Sequence, residues 1–62
     1  MDITFNGEQR TVTDEATVAE LVPRVGGLAV AVNGVVVPAT AWSRTRLAER
    51  DEVEVVSAQQ GG

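Results

Sequence analysis

Few residues in this sequence can do covalent chemistry, and the most telling are the last two. The chain closes with Gln59-Gln60-Gly61-Gly62, and it contains no cysteine, no histidine and no lysine. That removes disulfides, thiol nucleophiles, thiolate and imidazole metal ligands, and the usual general base near neutral pH. What remains is the α-carboxylate of Gly62, which is ionised at neutral pH and is a poor electrophile. It reacts only after activation, when an enzyme converts it into a mixed anhydride with AMP that a nucleophile can open. Glycine has no Cβ, so an extended Gly61-Gly62 can thread a channel too narrow for other residues. Gly62 is therefore the candidate chemical site, and Gly61, Gln60 and Gln59 are the residues that would enter a partner's active site.

Other constellations are weaker. Gly26-Gly27 lacks the spacing and the lysine of a phosphate-binding loop. Asp51, Glu52 and Glu54 are too few to surround a hard cation, and alternation points the two glutamates outward. The same glutamates suit a patch complementary to a basic partner, where charge steers encounter and fixes register. Trp42 has two readings, a lid on a small core or an anchor at an interface. Glu52, Glu54 and Trp42 are thus the candidate partner-facing residues. No metal or cofactor is expected on this chain.

The elements that must position these groups follow from local pattern. Ile3-Thr4-Phe5 and Glu8-Gln9-Arg10-Thr11-Val12 alternate on either side of Asn6-Gly7, the strongest short hairpin signal. Thr17-Val18-Ala19-Glu20 fits a capping box, in which Thr17 accepts from the Glu20 N–H and Glu20 reaches back. A helix is predicted from Val18, with Val18, Leu21, Val22 and Val25 on one face. Pro23 removes a donor and crowds the preceding turn, so the helix should be short, kinked or ended near Val22 to Val25. Gly26-Gly27 follows where a left-handed C-cap is expected.

Leu28 to Val32, the turn Asn33-Gly34 and Val35 to Val37 predict a second hairpin closed by Pro38. Residues 39–50 show no period and are expected to form a loop with one helical turn over an end of the sheet. Arg50-Asp51 turns the chain into Glu52-Val53-Glu54-Val55, a half-buried strand. The expected architecture is α+β: a mixed five-stranded sheet with one helix across one face. Ile3, Phe5, Val18, Leu21, Val30, Val32, Val53 and Val55 should form the core. A domain over 1–56 and a flexible tail over 57–62 complete the plan.

Size and composition bound what such a domain can do. A chain of 62 residues buries only about 60% of its unfolded surface, too little for a core with a catalytic cleft inside it. Five arginines face nine acidic residues, for a net charge of -4, which argues against a nucleic-acid partner. No apolar run approaches the roughly 18 residues of a membrane span, and the start lacks the basic and apolar regions of a signal peptide. A cytoplasmic protein, monomeric when free and without a membrane or nucleic-acid partner, is expected.

At this level the sequence resembles the ubiquitin-like β-grasp sulfur carriers of the ThiS/MoaD type, and within them the ThiS family of thiazole formation in thiamine biosynthesis. The resemblance spans almost the whole chain. It rests on the Asn6-Gly7 hairpin, "TVAEL" at Thr17 to Leu21, "LAVAVNGVVVP" at Leu28 to Pro38, Trp42, "DEVEVV" at Asp51 to Val56, and Gly61-Gly62. It implies a non-catalytic protein co-substrate whose Gly62 carboxylate is adenylated by a ThiF/MoeB-like, ATP-dependent activating enzyme. A sulfur donor such as a persulfide then converts it to a thiocarboxylate, which passes its sulfur to a thiazole synthase.

Two positions depart from the family pattern. Arg50 stands where a glycine usually precedes Asp51, and the helix carries Pro23. Four other readings remain open. One is the small subunit of molybdopterin synthase, usually longer and often with a proline-containing stretch before Gly-Gly. Another is a carrier for a different sulfur-transfer pathway. A protein-tagging modifier is the third, of a different class. The fourth is a β-grasp interaction module with an inert tail.

Overall fold

Both Asn-Gly pairs turn the chain as their residue types require. Asn6 and Asn33 take φ of 49° and 53°, and Gly7 and Gly34 follow at 84°, the left-handed pair of a type I′ hairpin turn. In the computed structural model, which describes residues 1–22 and 26–57, the first turn joins β1 (Asp2–Phe5) to β2 (Glu8–Thr11) and the second joins β3 (Leu28–Val32) to β4 (Val35–Val37). The last strand, β5 (Glu52–Ser57), lies between the hairpins, giving the order β2-β1-β5-β3-β4. It runs parallel to β1 and antiparallel to β3, so the sheet is mixed as predicted. Ser57 pairs with Leu28, which carries the strand one residue beyond its expected end at Val56.

The helix is shorter than its periodicity suggests. α1 covers only Val18–Leu21, and Val22 is already extended at φ -108° and ψ 126°. A residue before proline is pushed out of the helical region by the ring that follows, which accounts for the extended Val22. One expectation fails here. Gly26-Gly27 is not the helix cap, because the helix ends five residues earlier; Gly27, at φ 83°, instead belongs to the turn that feeds β3. Val25 and Pro23 themselves lie outside the described residues.

The capping box does not form either: Thr17 makes no side-chain cap hydrogen bond. Tertiary pairing has taken over the helix start. Thr17 forms an antiparallel bridge with Arg46, the Val18 N–H donates to the Thr45 carbonyl at 3.0 Å, and the Glu20 N–H is satisfied by the Thr17 carbonyl at 3.1 Å. The Glu20 N–H, the donor that the Thr17 hydroxyl would serve, already has a partner.

Residues 39–50 hold more structure than a single turn. Ala39–Arg44 form a six-residue 3₁₀ helix, which places Trp42 against the core, with its indole Nε1 donating to the Val37 carbonyl at 2.8 Å. The core comprises Ile3, Val30 and Val53 from the sheet, Ala16, Val18 and Val22 from around α1, and Trp42 and Leu47. Phe5, Leu21, Val32 and Val55, expected in the core, are half-buried and packed against its margin. The Phe5 ring lies under the Arg10 guanidinium, 4.4 Å from its centroid.

Candidate functional site

β5 is the element that presents the end of the chain, and both hairpin turns grip it. From one side the Asn6 N–H donates to the Val53 carbonyl at 2.9 Å, while Asn6 Oδ1 accepts from the Val55 N–H at 2.8 Å. From the other side the Asn33 N–H donates to the Glu52 carbonyl at 2.8 Å, and Asn33 Oδ1 accepts from the Glu52 N–H at 2.9 Å. Asn33 Nδ2 then donates to Asp51 Oδ1, whose Oδ2 accepts from the Ala48 N–H at 2.7 Å. Each asparagine thus turns its own hairpin and substitutes for a missing strand partner along β5. Sequence pattern marks the two residues only as turn formers. The signal that both appear as asparagine, although Gly-Gly would also turn the chain, was there to be used.

The strand so held alternates as expected. Val53 is buried and Val55 half-buried, while Glu52 and Glu54 are exposed on the opposite face. Val56 shares the glutamates' face and is 59% exposed. Trp42 lies elsewhere, 9% exposed beneath the 3₁₀ helix, so it serves as the core's lid and is not brought together with Glu52 and Glu54. Gln59, Gln60, Gly61 and Gly62, with the tail assigned to them, lie outside the described residues.

The rest of the described surface offers no competing chemistry. Among the described residues no three His, Cys, Asp or Glu side chains converge on a metal position, and no helix is long and apolar enough to cross a membrane. One hollow is lined by Asp2, Ile3, Thr4, Gln9, Glu49, Arg50 and Glu52. A second lies among Ala19, Gly26, Gly27, Leu28, Ala39, Trp42 and Ser43. Neither pairs a nucleophile with a base.

A mixed five-stranded sheet with β5 central, crossed on one face by a helix between the two hairpins, defines a ubiquitin-like β-grasp domain. Gly61-Gly62 follow five and six residues after Val56 of its central strand in the sequence. The ThiS family model matches residues 3–62, and the chain belongs to the ThiS family. Among solved structures it is similar to the crystal structure of a thiamine biosynthesis protein (ThiS) from Geobacter metallireducens. That chain is 30% identical, is covered over 100% of both lengths and superposes with a TM-score of 0.84. Comparison with curated proteins gives no match.

Proposed function

We propose that this protein is the sulfur carrier for thiazole formation in thiamine biosynthesis, with the Gly62 carboxylate as the group that is loaded. The observation that carries the reading is the family match running through residue 62, and β5, gripped on both edges, supports it as a rigid root for the residues beyond. A carboxylate oxygen of Gly62 attacks the α-phosphorus of ATP on a ThiF/MoeB-like activating enzyme, and pyrophosphate leaves. The terminal sulfur of a persulfide donor attacks the acyl carbon and AMP leaves; a second thiol then cleaves the S–S bond, leaving the thiocarboxylate. A thiazole synthase takes the sulfur.

ATP belongs to the activating enzyme, and the carrier holds no cofactor of its own. A chain without cysteine has no internal thiol to intercept the activated acyl group. Gly61 supplies the bulk-free step that lets Gly62 enter an active site, and Gln60 and Gln59 form the polar spacer behind it. All of this chemistry is placed in the cytoplasm.

The ThiS match favours thiazole formation over the molybdopterin pathway. Expression in a thiamine-requiring strain that lacks its own carrier tests this choice. Growth without thiamine is expected. No rescue there, together with restored molybdoenzyme activity in a strain lacking the molybdopterin carrier, would assign the chain to the other pathway.

A further inference from the structure

The two Asn-Gly turns share a backbone conformation but not their side-chain surroundings. In each, the asparagine Oδ1 accepts one backbone N–H from β5: that of Val55 for Asn6 and that of Glu52 for Asn33. Asn33 is held a second time, because its Nδ2 donates to Asp51 Oδ1 at 2.9 Å. Among the described residues, Asn6 Nδ2 has no such partner. Both turns are exposed to water, and a Cβ built on Gly7 or Gly34 would meet no atom within 4 Å. Asparagine is among the chemically labile residues, and a following glycine leaves the neighbouring backbone nitrogen uncrowded.

We propose that Asn6 is a site of spontaneous covalent modification, deamidation through a succinimide, and that the bond to Asp51 guards Asn33 against the same reaction. The Gly7 backbone nitrogen gives its proton to hydroxide and attacks Asn6 Cγ. A five-membered imide closes as Nδ2 takes a proton from water and leaves as ammonia, which restores the hydroxide. Water then opens the ring at either carbonyl, leaving an aspartate or an isoaspartate at position 6. The only co-reactant consumed is water.

Ring closure brings Cγ onto the nitrogen of the next residue and so draws the side-chain amide away from β5. Asn6 gives up one hydrogen bond in doing this, and Asn33 gives up two, one of them to a carboxylate, which is the stronger kind. The products differ as well. A carboxylate at position 6 still accepts from the Val55 N–H, whereas one at position 33 would set a like charge against Asp51 in place of a donor. Isoaspartate routes the main chain through Cβ and Cγ, adding a methylene to a two-residue turn whose length sets the hairpin register. At position 6 that lengthening disturbs the turn from which Asn6 reaches both the Val53 carbonyl and the Val55 N–H.

The test is prolonged incubation of the folded wild-type chain in mildly alkaline buffer, with each site read by proteolysis and mass spectrometry. Every event replaces an amide NH₂ by OH, a gain of about 1 Da, and isoaspartate is scored separately by labelling with an isoaspartyl methyltransferase. Asn6 should convert about fivefold faster than Asn33, and in urea, where neither turn is formed, the two should convert at similar rates. Asp51→Ala should speed Asn33 about fivefold and leave Asn6 unchanged. Asn6 is the internal control, since general loosening of the fold would speed both sites. Thermal melts establish that Asp51→Ala is folded; should it not be, the wild-type comparison between buffer and urea decides alone. Equal conversion of the two sites in the folded wild type, or faster conversion at Asn33, would overturn the proposal. So would conversion in urea with none at Asn6 in the folded chain, or a folded Asp51→Ala that speeds both sites equally.

Discussion

The Asn33 side-chain amide donates to Asp51 Oδ1 at 2.9 Å, locking the second hairpin turn onto the residue just before β5. Asn33 Oδ1 meanwhile accepts from the Glu52 N–H, so one side chain secures both the turn and the strand start. Asn33→Gly keeps the left-handed backbone and removes both bonds. A loss of about 1–2 kcal/mol in urea unfolding is expected, since the pair is exposed and each bond has a modest net value. Asp51→Ala should cost a similar amount, and the double variant less than the sum of the two.

Arg50 occupies the left-handed region at φ 70°, while its N–H donates to the Asp2 carbonyl at 2.7 Å. A side chain at such a φ is strained by contact between Cβ and the backbone, and glycine relieves it. Arg50→Gly is expected to raise stability by about 0.5 kcal/mol after the extra freedom of the unfolded chain is counted. Arg50→Val should do the opposite, by about 1 kcal/mol or more, because a β-branched residue tolerates that region worst. Thermal denaturation of the three proteins at one pH checks the order.

Trp42 closes the core and donates to the Val37 carbonyl at 2.8 Å. Trp42→Phe keeps most of the apolar contact but leaves that half-buried carbonyl without its partner. The expected cost is about 2 kcal/mol, read from chemical denaturation by circular dichroism.

The parts of this fold governed by neighbouring residues were legible in the sequence, and those governed by distant ones were not. Asn6-Gly7 and Asn33-Gly34 each contain the chemistry of a type I′ turn, so both hairpins followed from four residues. Alternation likewise placed Val53 inward and Glu52 and Glu54 outward. Thr17 and Glu20 matched a capping box locally, yet the bridge from Thr17 to Arg46 overrode it, and no local pattern announces a partner 29 positions away. Ala16 and Leu47 entered the core by the same route, through the Leu47 N–H donating to the Ala16 carbonyl at 3.0 Å.

Val22, extended ahead of Pro23, ended the helix as a residue before proline should, but the distance from Leu21 to Gly26 left the glycine pair serving β3. The exposure of Val35 and Val36, both 67%, depends on β4 being an edge strand. A run of three valines carries no record of which sheet position it will take. The candidate chemical site divides in the same way. The orientation of Glu52 and Glu54 was readable from alternation, whereas the asparagine grips on β5 required the topology that brings both turns to one strand.

The carrier account stands on the terminal glycines acting in chemistry and not in folding. Deleting Gly62, or replacing Gly61 with Trp, should abolish loading while changing stability by less than about 0.5 kcal/mol. A larger loss in thermal denaturation would mean that the end of the chain is packed into the domain.

The most direct measurement is the intact mass of the wild-type chain after incubation with ATP, a ThiF-type activating enzyme and a sulfide source. Exchange of one oxygen for sulfur at Gly62 predicts a gain of about 16 Da, absent when ATP is omitted or Gly62 deleted. An unchanged mass under conditions that convert an established carrier would contradict the account.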